Sequence, residues 1–138
     1  MPLGAFIASQ QLMQQLSHDP VLGHITTFGG HPVCCAAGIA AMQVLLDENL
    51  IAMVAEKETL FRSLLVHPSI KAVRSKGLLI AIELDSPEHV LRTLKACLEK
   101  GIFSDWFLFA ANCIRIAPPL TITDEEIKLA CNSIKESL

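Results

Sequence analysis

Apolar positions along this chain fall into two regimes. The first is a nearly unbroken run after Pro32: Val33, Cys34, Cys35, Ala36, Ala37, Ile39, Ala40, Met42, Val44 and Leu45. Proline suits the first turn of a helix, where its missing N–H costs nothing, so the run predicts a helix over 32–46 that is apolar nearly all round. A helix of that kind needs burial on most sides, and its small residues let other elements approach closely. A second helical segment follows, with Leu50, Met53, Val54, Leu60, Phe61, Leu64 and Leu65 near the 3.6-residue period.

The second regime alternates strand and helix. Leu78 to Leu84 predicts a strand with Ile80, Ile82 and Leu84 on one face. Ser86-Pro87 opens a helix whose expected buried stripe is Val90, Leu91, Leu94, Cys97 and Leu98, and Gly101 stops it. Cys113 to Ala117 predicts another strand, Ile114 and Ile116 facing one way and Arg115 the other, ended by Pro118-Pro119. Thr123 with Glu126 three residues on is a capping box, and the helix behind it buries Ile127, Ala130, Cys131 and Ile134. Weaker strand signals lie at Lys71 to Arg74 and at Ile102 to Phe103. From about residue 68 the pattern is a small α+β layer, helices on one face of a sheet.

The first thirty residues are different. Leu3 to Ala8 predicts a short buried strand and Gln10 to Leu16 a short helix, followed by a loop rich in Ser, Asp, Gly, Thr and Pro up to Pro32. That first strand needs a sheet to join, and no partner for it is evident in the sequence.

Composition sharpens this picture. The chain has 138 residues, 51% hydrophobic and 18% charged, against a usual charged share of about 25%, and a mean hydropathy of +0.46. No apolar run approaches the roughly 20 residues that span a bilayer, which leaves an unusually apolar domain or a piece of a larger body with its buried faces still written in, the second being favoured. A formal charge of -3 and no basic cluster give no reason to expect nucleic acid. Met1 to Phe6 lacks the charged region and long apolar stretch of a signal peptide. Five cysteines, odd in number and without C-x-x-C spacing, fit a reducing, cytoplasmic setting.

Two stretches carry candidate chemistry. Gly23 to Pro32 sets Thr26 and Thr27 beside Gly29-Gly30 at a helix N-terminus, where hydroxyls, backbone N–H groups and the helix dipole suit a phosphate. The plainer alternative is a loop leading into a helix with a threonine cap. Arg115, alternating with Ile114 and Ile116, sits opposite the core, and its fork matches a carboxylate in bidentate fashion. Its alternative is an edge-strand arginine in water. His24 and His31, seven apart in a loop without a third ligand, do not make a metal site. Cys34-Cys35 on an apolar helix reads as inert core thiols. Glu83-Leu84-Asp85 reads as a strand end reaching solvent, and Trp106, Phe107 and Phe109 as a packed or interface loop.

Four passages in order resemble the class III, fold-type I aminotransferases, especially those acting on acetylornithine and ornithine. Met1-Pro2-Leu3-Gly4-Ala5-Phe6 resembles the segment after the glycine run that follows the Schiff-base lysine. His24 to Pro32 is similar to the family's H-G-[ST]-T-[FY]-G-G-N-P loop. Arg74-Ser75-Lys76-Gly77-Leu78 resembles its R-G-x-G-L turn, and Arg115 to Leu120 its R-x-x-P-P-L strand end. Ile25 and Ser75 stand where glycine is usual, and His31 where asparagine is usual.

The resemblance implies a C-terminal fragment with three parts: residues 1–31 as the edge of the large cofactor-binding domain, 32–66 as linking helices, and 67–138 as the small α+β domain. It implies pyridoxal 5'-phosphate as cofactor and a homodimer, with Thr27 holding the cofactor phosphate across the dimer and Thr26 assisting. Arg115 would grip the substrate α-carboxylate, and Pro2, Leu3 and Gly4 would shape the wall behind the cofactor lysine. The implied reaction is amino transfer between an amino acid and a 2-oxo acid. None of the lysines (57, 71, 76, 95, 100, 128, 135) has the family's Schiff-base context, which implies an inactive fragment. Two alternatives stay open: a non-enzymatic α+β ligand-binding or oligomerisation module, and an aminomutase or decarboxylase of the same fold.

Overall fold

The computed structural model describes every residue but Pro20, Leu22 and His24. Its elements run α1 (Gln10–Gln14), α2 (Pro32–Asp47), α3 (Val54–Leu64), β1 (Ala72–Lys76), β2 (Leu79–Glu83), α4 (Pro87–Glu99), β3 (Asp105–Phe107), β4 (Ala110–Ile116) and α5 (Asp124–Lys135). They divide into two units, Met1–Glu48 and Asn49–Leu138.

The second unit is α+β, as the alternation predicts. Its four strands pair antiparallel in the order β1-β2-β4-β3. Ile80 and Ile82 face Ile116 and Ile114 across the β2–β4 ladder, and one core gathers them with Phe61, Leu65, Val90, Cys97, Ile127, Cys131 and Ile134. Phe61, Ile80, Ile82, Val90 and Ile127 are wholly buried. Burial also pushes the Cys131 thiol up to about 11, well above its ordinary range. Lys57 is buried too, and its Nζ donates to the Leu120 carbonyl at 2.6 Å, tying α3 to the loop that follows β4.

The last helix starts as its sequence dictates. The Thr123 side chain accepts from the Glu126 N–H at 3.2 Å, and Glu126 accepts from the Thr123 N–H at 2.8 Å. Bonds from the Thr123 N–H and the Thr123 hydroxyl to its oxygen hold the Glu126 carboxyl below its usual pKa. Thr123→Ala removes one half of the box and is expected to cost ~1 kcal/mol. A thermal melt of the chain then shifts down by several degrees, and an unchanged midpoint would deny the cap a stabilising role.

Three expectations need correction here. The buried side of α4 is His89, Val90, Thr93 and Cys97, with Leu94 partly covered, while Leu91 and Leu98 are 53% and 59% exposed. Polar residues occupy the inner stripe because their bonds are made internally. Thr93 Oγ1 donates to the His89 carbonyl at 2.9 Å, and the His89 ring bridges Asp85 and the Leu138 carbonyl. The weak strand signal at 102–103 is displaced to Asp105–Phe107, while β1 begins one residue after Lys71. Gly101, at φ +80°, ends the helical stretch where expected.

The first unit departs further. Residues 1–9 form no strand and are exposed, since no neighbouring strand supplies the ladder bonds. Helix α2 forms over the predicted range, but none of its residues is buried; Ile39, Met42 and Leu46 are exposed. One long helix, one short helix and turns provide no layer to cover an all-round apolar surface. Cys34 and Cys35 are accordingly half-buried rather than core thiols. The small residues of α2 do admit a close neighbour: a Cβ on Gly38 would lie 2.4 Å from Leu3 Cδ2.

Candidate functional site

In the first unit the chain turns sharply before α2. The Gly29 N–H donates to the Thr26 carbonyl at 3.2 Å, and the His31 N–H to the Phe28 carbonyl at 3.2 Å. His31 then caps the helix, its Nδ1 accepting from the Val33 N–H at 3.2 Å. Histidine in place of the usual asparagine therefore still provides a cap acceptor, and the cap is not a threonine. Thr26 Oγ1 occupies the space over Gly29, where a Cβ would come within 2.6 Å of it.

This turn borders an open depression of about 530 Å³. Pro2, Leu3 and Gly4 line one side, and Thr26, Gly29 and His31 line the other. Thr27 is the next residue in the turn and is exposed, but it does not line the depression. A hydroxyl, a side chain-free glycine and the start of a sixteen-residue helix suit a phosphate oxygen. The lining also includes Met1, Phe28, Gly30 and Cys34, and its side chains carry neither an amine nor a carboxylate, so these residues would fit one wall of a pyridoxal phosphate site, the phosphate wall. Since His24 lies outside the described residues, the reading that His24 and His31 make no metal site stays an expectation. Among the described residues no cluster of three metal-ligating side chains occurs, and no helix is long and apolar enough to cross a membrane.

Arg115 belongs to the second unit, on the sheet face opposite the core. Register puts Arg74, Ala81, Arg115 and Asp105 in one cross-strand row, with Ala72, Glu83 and Cys113 in the next. Residues directly opposite one another share a face, so this face is charged where the other is greasy. The Arg74 guanidinium bonds the Glu83 carboxylate and reaches Cys113 Sγ at 3.3 Å. The Glu83 bond raises the Arg74 pKa above its usual value. Glu83 is thus engaged by Arg74, and Asp85 by His89. Arg115 Nη2 donates to Asp105 Oδ2 at 3.2 Å, its side chain 45% exposed, and it lines a cleft of about 220 Å³ together with Ser104, Pro118 and the core residues Phe61, Ile116 and Ile134. A half-exposed guanidinium with one neighbour can bind an incoming carboxylate with its remaining N–H groups.

The sequence model of the aminotransferase class-III family matches residues 1–138, the whole chain. The chain belongs to the class-III aminotransferases. Its structure resembles that of the ornithine aminotransferase from Toxoplasma gondii, at 34% identity and a TM-score of 0.76 over 92% of this chain and 30% of that one. A second structure of that enzyme, from Toxoplasma gondii ME49, gives 36% identity and 0.72 over 83% and 28%. A Bacillus anthracis aminotransferase matches at 30% identity and 0.75, over 85% of this chain and 30% of that chain. The α+β fold read from the sequence is therefore the fold-type I aminotransferase fold, and the chain spans about 30% of the length of the enzymes it matches. Class-III aminotransferases use pyridoxal 5'-phosphate, and the Toxoplasma gondii enzyme shows partial occupancy of it at the active site.

Asp105 escaped the sequence reading. Its signal was there, an acid ten residues before Arg115 across a hairpin, but it becomes visible only once β3 is placed at 105–107 rather than at 102–103.

Proposed function

We propose that this chain is the C-terminal part of a pyridoxal phosphate-dependent aminotransferase that moves an amino group between an amino acid of ornithine or acetylornithine type and a 2-oxo acid. The observation that carries the proposal is the Arg115 guanidinium, half exposed and lining a cleft in a chain of the class-III aminotransferase family. The identities of 34% and 36% to an ornithine aminotransferase favour that substrate type.

Arg115 binds the substrate α-carboxylate through its free N–H edge and so orients the substrate Cα bonds, a positioning effect. Thr27, assisted by Thr26, donates a hydroxyl hydrogen bond to the cofactor phosphate of the partner subunit in a homodimer. Pro2, Leu3 and Gly4 shape the wall behind the cofactor lysine. When bound, the cofactor supplies the electron sink that amino transfer requires. The parts are 1–31 at the edge of the large domain, 32–66 as linking helices and 67–138 as the small domain. The exposed apolar surface of α2 is covered by the remainder of the enzyme. Five free cysteines favour a reducing, cytoplasmic setting.

The chain by itself is catalytically silent, because no lysine in it has the context of the cofactor-binding one. Purified chain given pyridoxal phosphate, 2-oxoglutarate and either L-ornithine or N-acetylornithine is expected to give no amino transfer, while the intact enzyme turns over one of the two donors. Turnover by the isolated chain would refute the first statement, and an intact enzyme inert to both donors the second.

A further inference from the structure

Asp105 has a specific relation to Arg115. The two face each other across the β3–β4 ladder. Both oxygens of the Asp105 carboxylate are engaged: Oδ1 accepts from the Trp106 N–H at 2.8 Å, and Oδ2 accepts from Arg115 Nη2 at 3.2 Å. With one oxygen bonded to the adjoining N–H, the carboxylate is restrained with its other oxygen toward Arg115. The strand beneath is fastened as well, since the Ser104 hydroxyl donates to the Arg115 carbonyl. Among the described residues Asp105 is the one side chain hydrogen-bonded to the Arg115 guanidinium. An arginine presents five N–H donors in a planar fork, so a single bond to Asp105 leaves a complete two-donor edge unused.

We infer that Asp105 is the positioning residue of the carboxylate clamp: it holds Arg115 by one nitrogen so that the other edge meets the substrate carboxylate already oriented. The inference rests on the reading of Arg115 as that clamp. An untethered arginine carries considerable rotamer entropy, part of which every substrate would otherwise have to overcome on binding. Asp105 removes that freedom beforehand, while placing a negative charge beside an anion site. The two effects oppose each other, and they are separable by substitution. Asp105→Asn keeps an oxygen acceptor and removes the charge, whereas Asp105→Ala removes both.

The test uses the intact enzyme and whichever amino acid and 2-oxo acid it turns over. Asp105→Ala is expected to raise KM for both substrates about tenfold while kcat changes less. Asp105→Asn restores KM to near the parent value. Calorimetric binding of pyruvate as a simple carboxylate probe should weaken in the alanine variant and recover in the asparagine variant, with melting temperatures of both near the parent's. Unchanged KM and pyruvate affinity in Asp105→Ala would overturn the inference. So would an equal fall in kcat and melting temperature with an equal rise in KM in both variants, which would mark a structural role. Arg115→Ala separates the two levels: if it binds pyruvate weakly while Asp105→Ala binds it normally, only the positioning role fails. If Arg115→Ala itself binds pyruvate normally, the clamp reading fails and this inference with it.

Discussion

Arg115→Ala in the intact enzyme is expected to lower kcat/KM by ~100-fold or more, the equivalent of ~3 kcal/mol of lost charge-assisted bonding. The side chain lines a cleft and has a free donor edge, so on the proposed role a substrate carboxylate would make its bonds there in the ground state and keep them as the reaction proceeds. Most of the loss then appears in KM, with a smaller fall in kcat from the less constrained Cα geometry. Lysine is a poor replacement, because a point charge does not reproduce the planar fork. Stability should be nearly untouched, since the guanidinium is half exposed and its bond to Asp105 is a surface pair. A steady-state comparison across several amino acids checks this: the penalty should be similar for all, because every one of them presents the same α-carboxylate.

Phe61→Ala has the opposite signature. Phe61 is wholly buried where α3 meets α5 and the sheet. Removing its ring leaves a cavity that neighbouring isoleucines cannot fill, at a cost of ~3–5 kcal/mol. Against a total of about 5–15 kcal/mol for an ordinary domain, that removes a large share of the second unit's stability. Urea denaturation of the chain followed by circular dichroism should show a midpoint far below the parent's. A shift worth under ~1 kcal/mol would mean that the core is built differently from the one described.

The second unit was legible because its signals are local and agree. Ile80 and Ile82 alternate on one strand, Ile114 and Ile116 on another, and the Thr123–Glu126 box marks the start of α5 without reference to anything distant. The errors have equally physical origins. In α4, apolar character alone picked Leu91 and Leu98, whereas the fold turns inward the residues whose polar groups find partners, His89 and Thr93. Residues 1–9 read as a strand because their side chains are apolar, yet a strand exists only when another strand completes its hydrogen bonds. The all-round apolar surface of α2 predicted burial on most sides, whereas none of its residues is buried in the first unit. Arg115 was visible from alternation on a single strand; Asp105 was not, because its meaning lies in cross-strand register. Thr26 and the Pro2-Leu3-Gly4 segment meet at one depression, while Thr27 stands beside it in the turn.

Everything proposed for catalysis depends on two separate sets of side chains serving the same bound molecule pair. The direct measurement is a crystal structure of the intact, cofactor-loaded enzyme with a carboxylate substrate analogue. It should show the Thr27 hydroxyl on the phosphate of one active centre and the Arg115 fork on the analogue's carboxylate in an active centre of the same dimer, the analogue lying against the cofactor ring. An analogue bound at the cofactor with Arg115 turned elsewhere, or a phosphate held without either threonine, would contradict it.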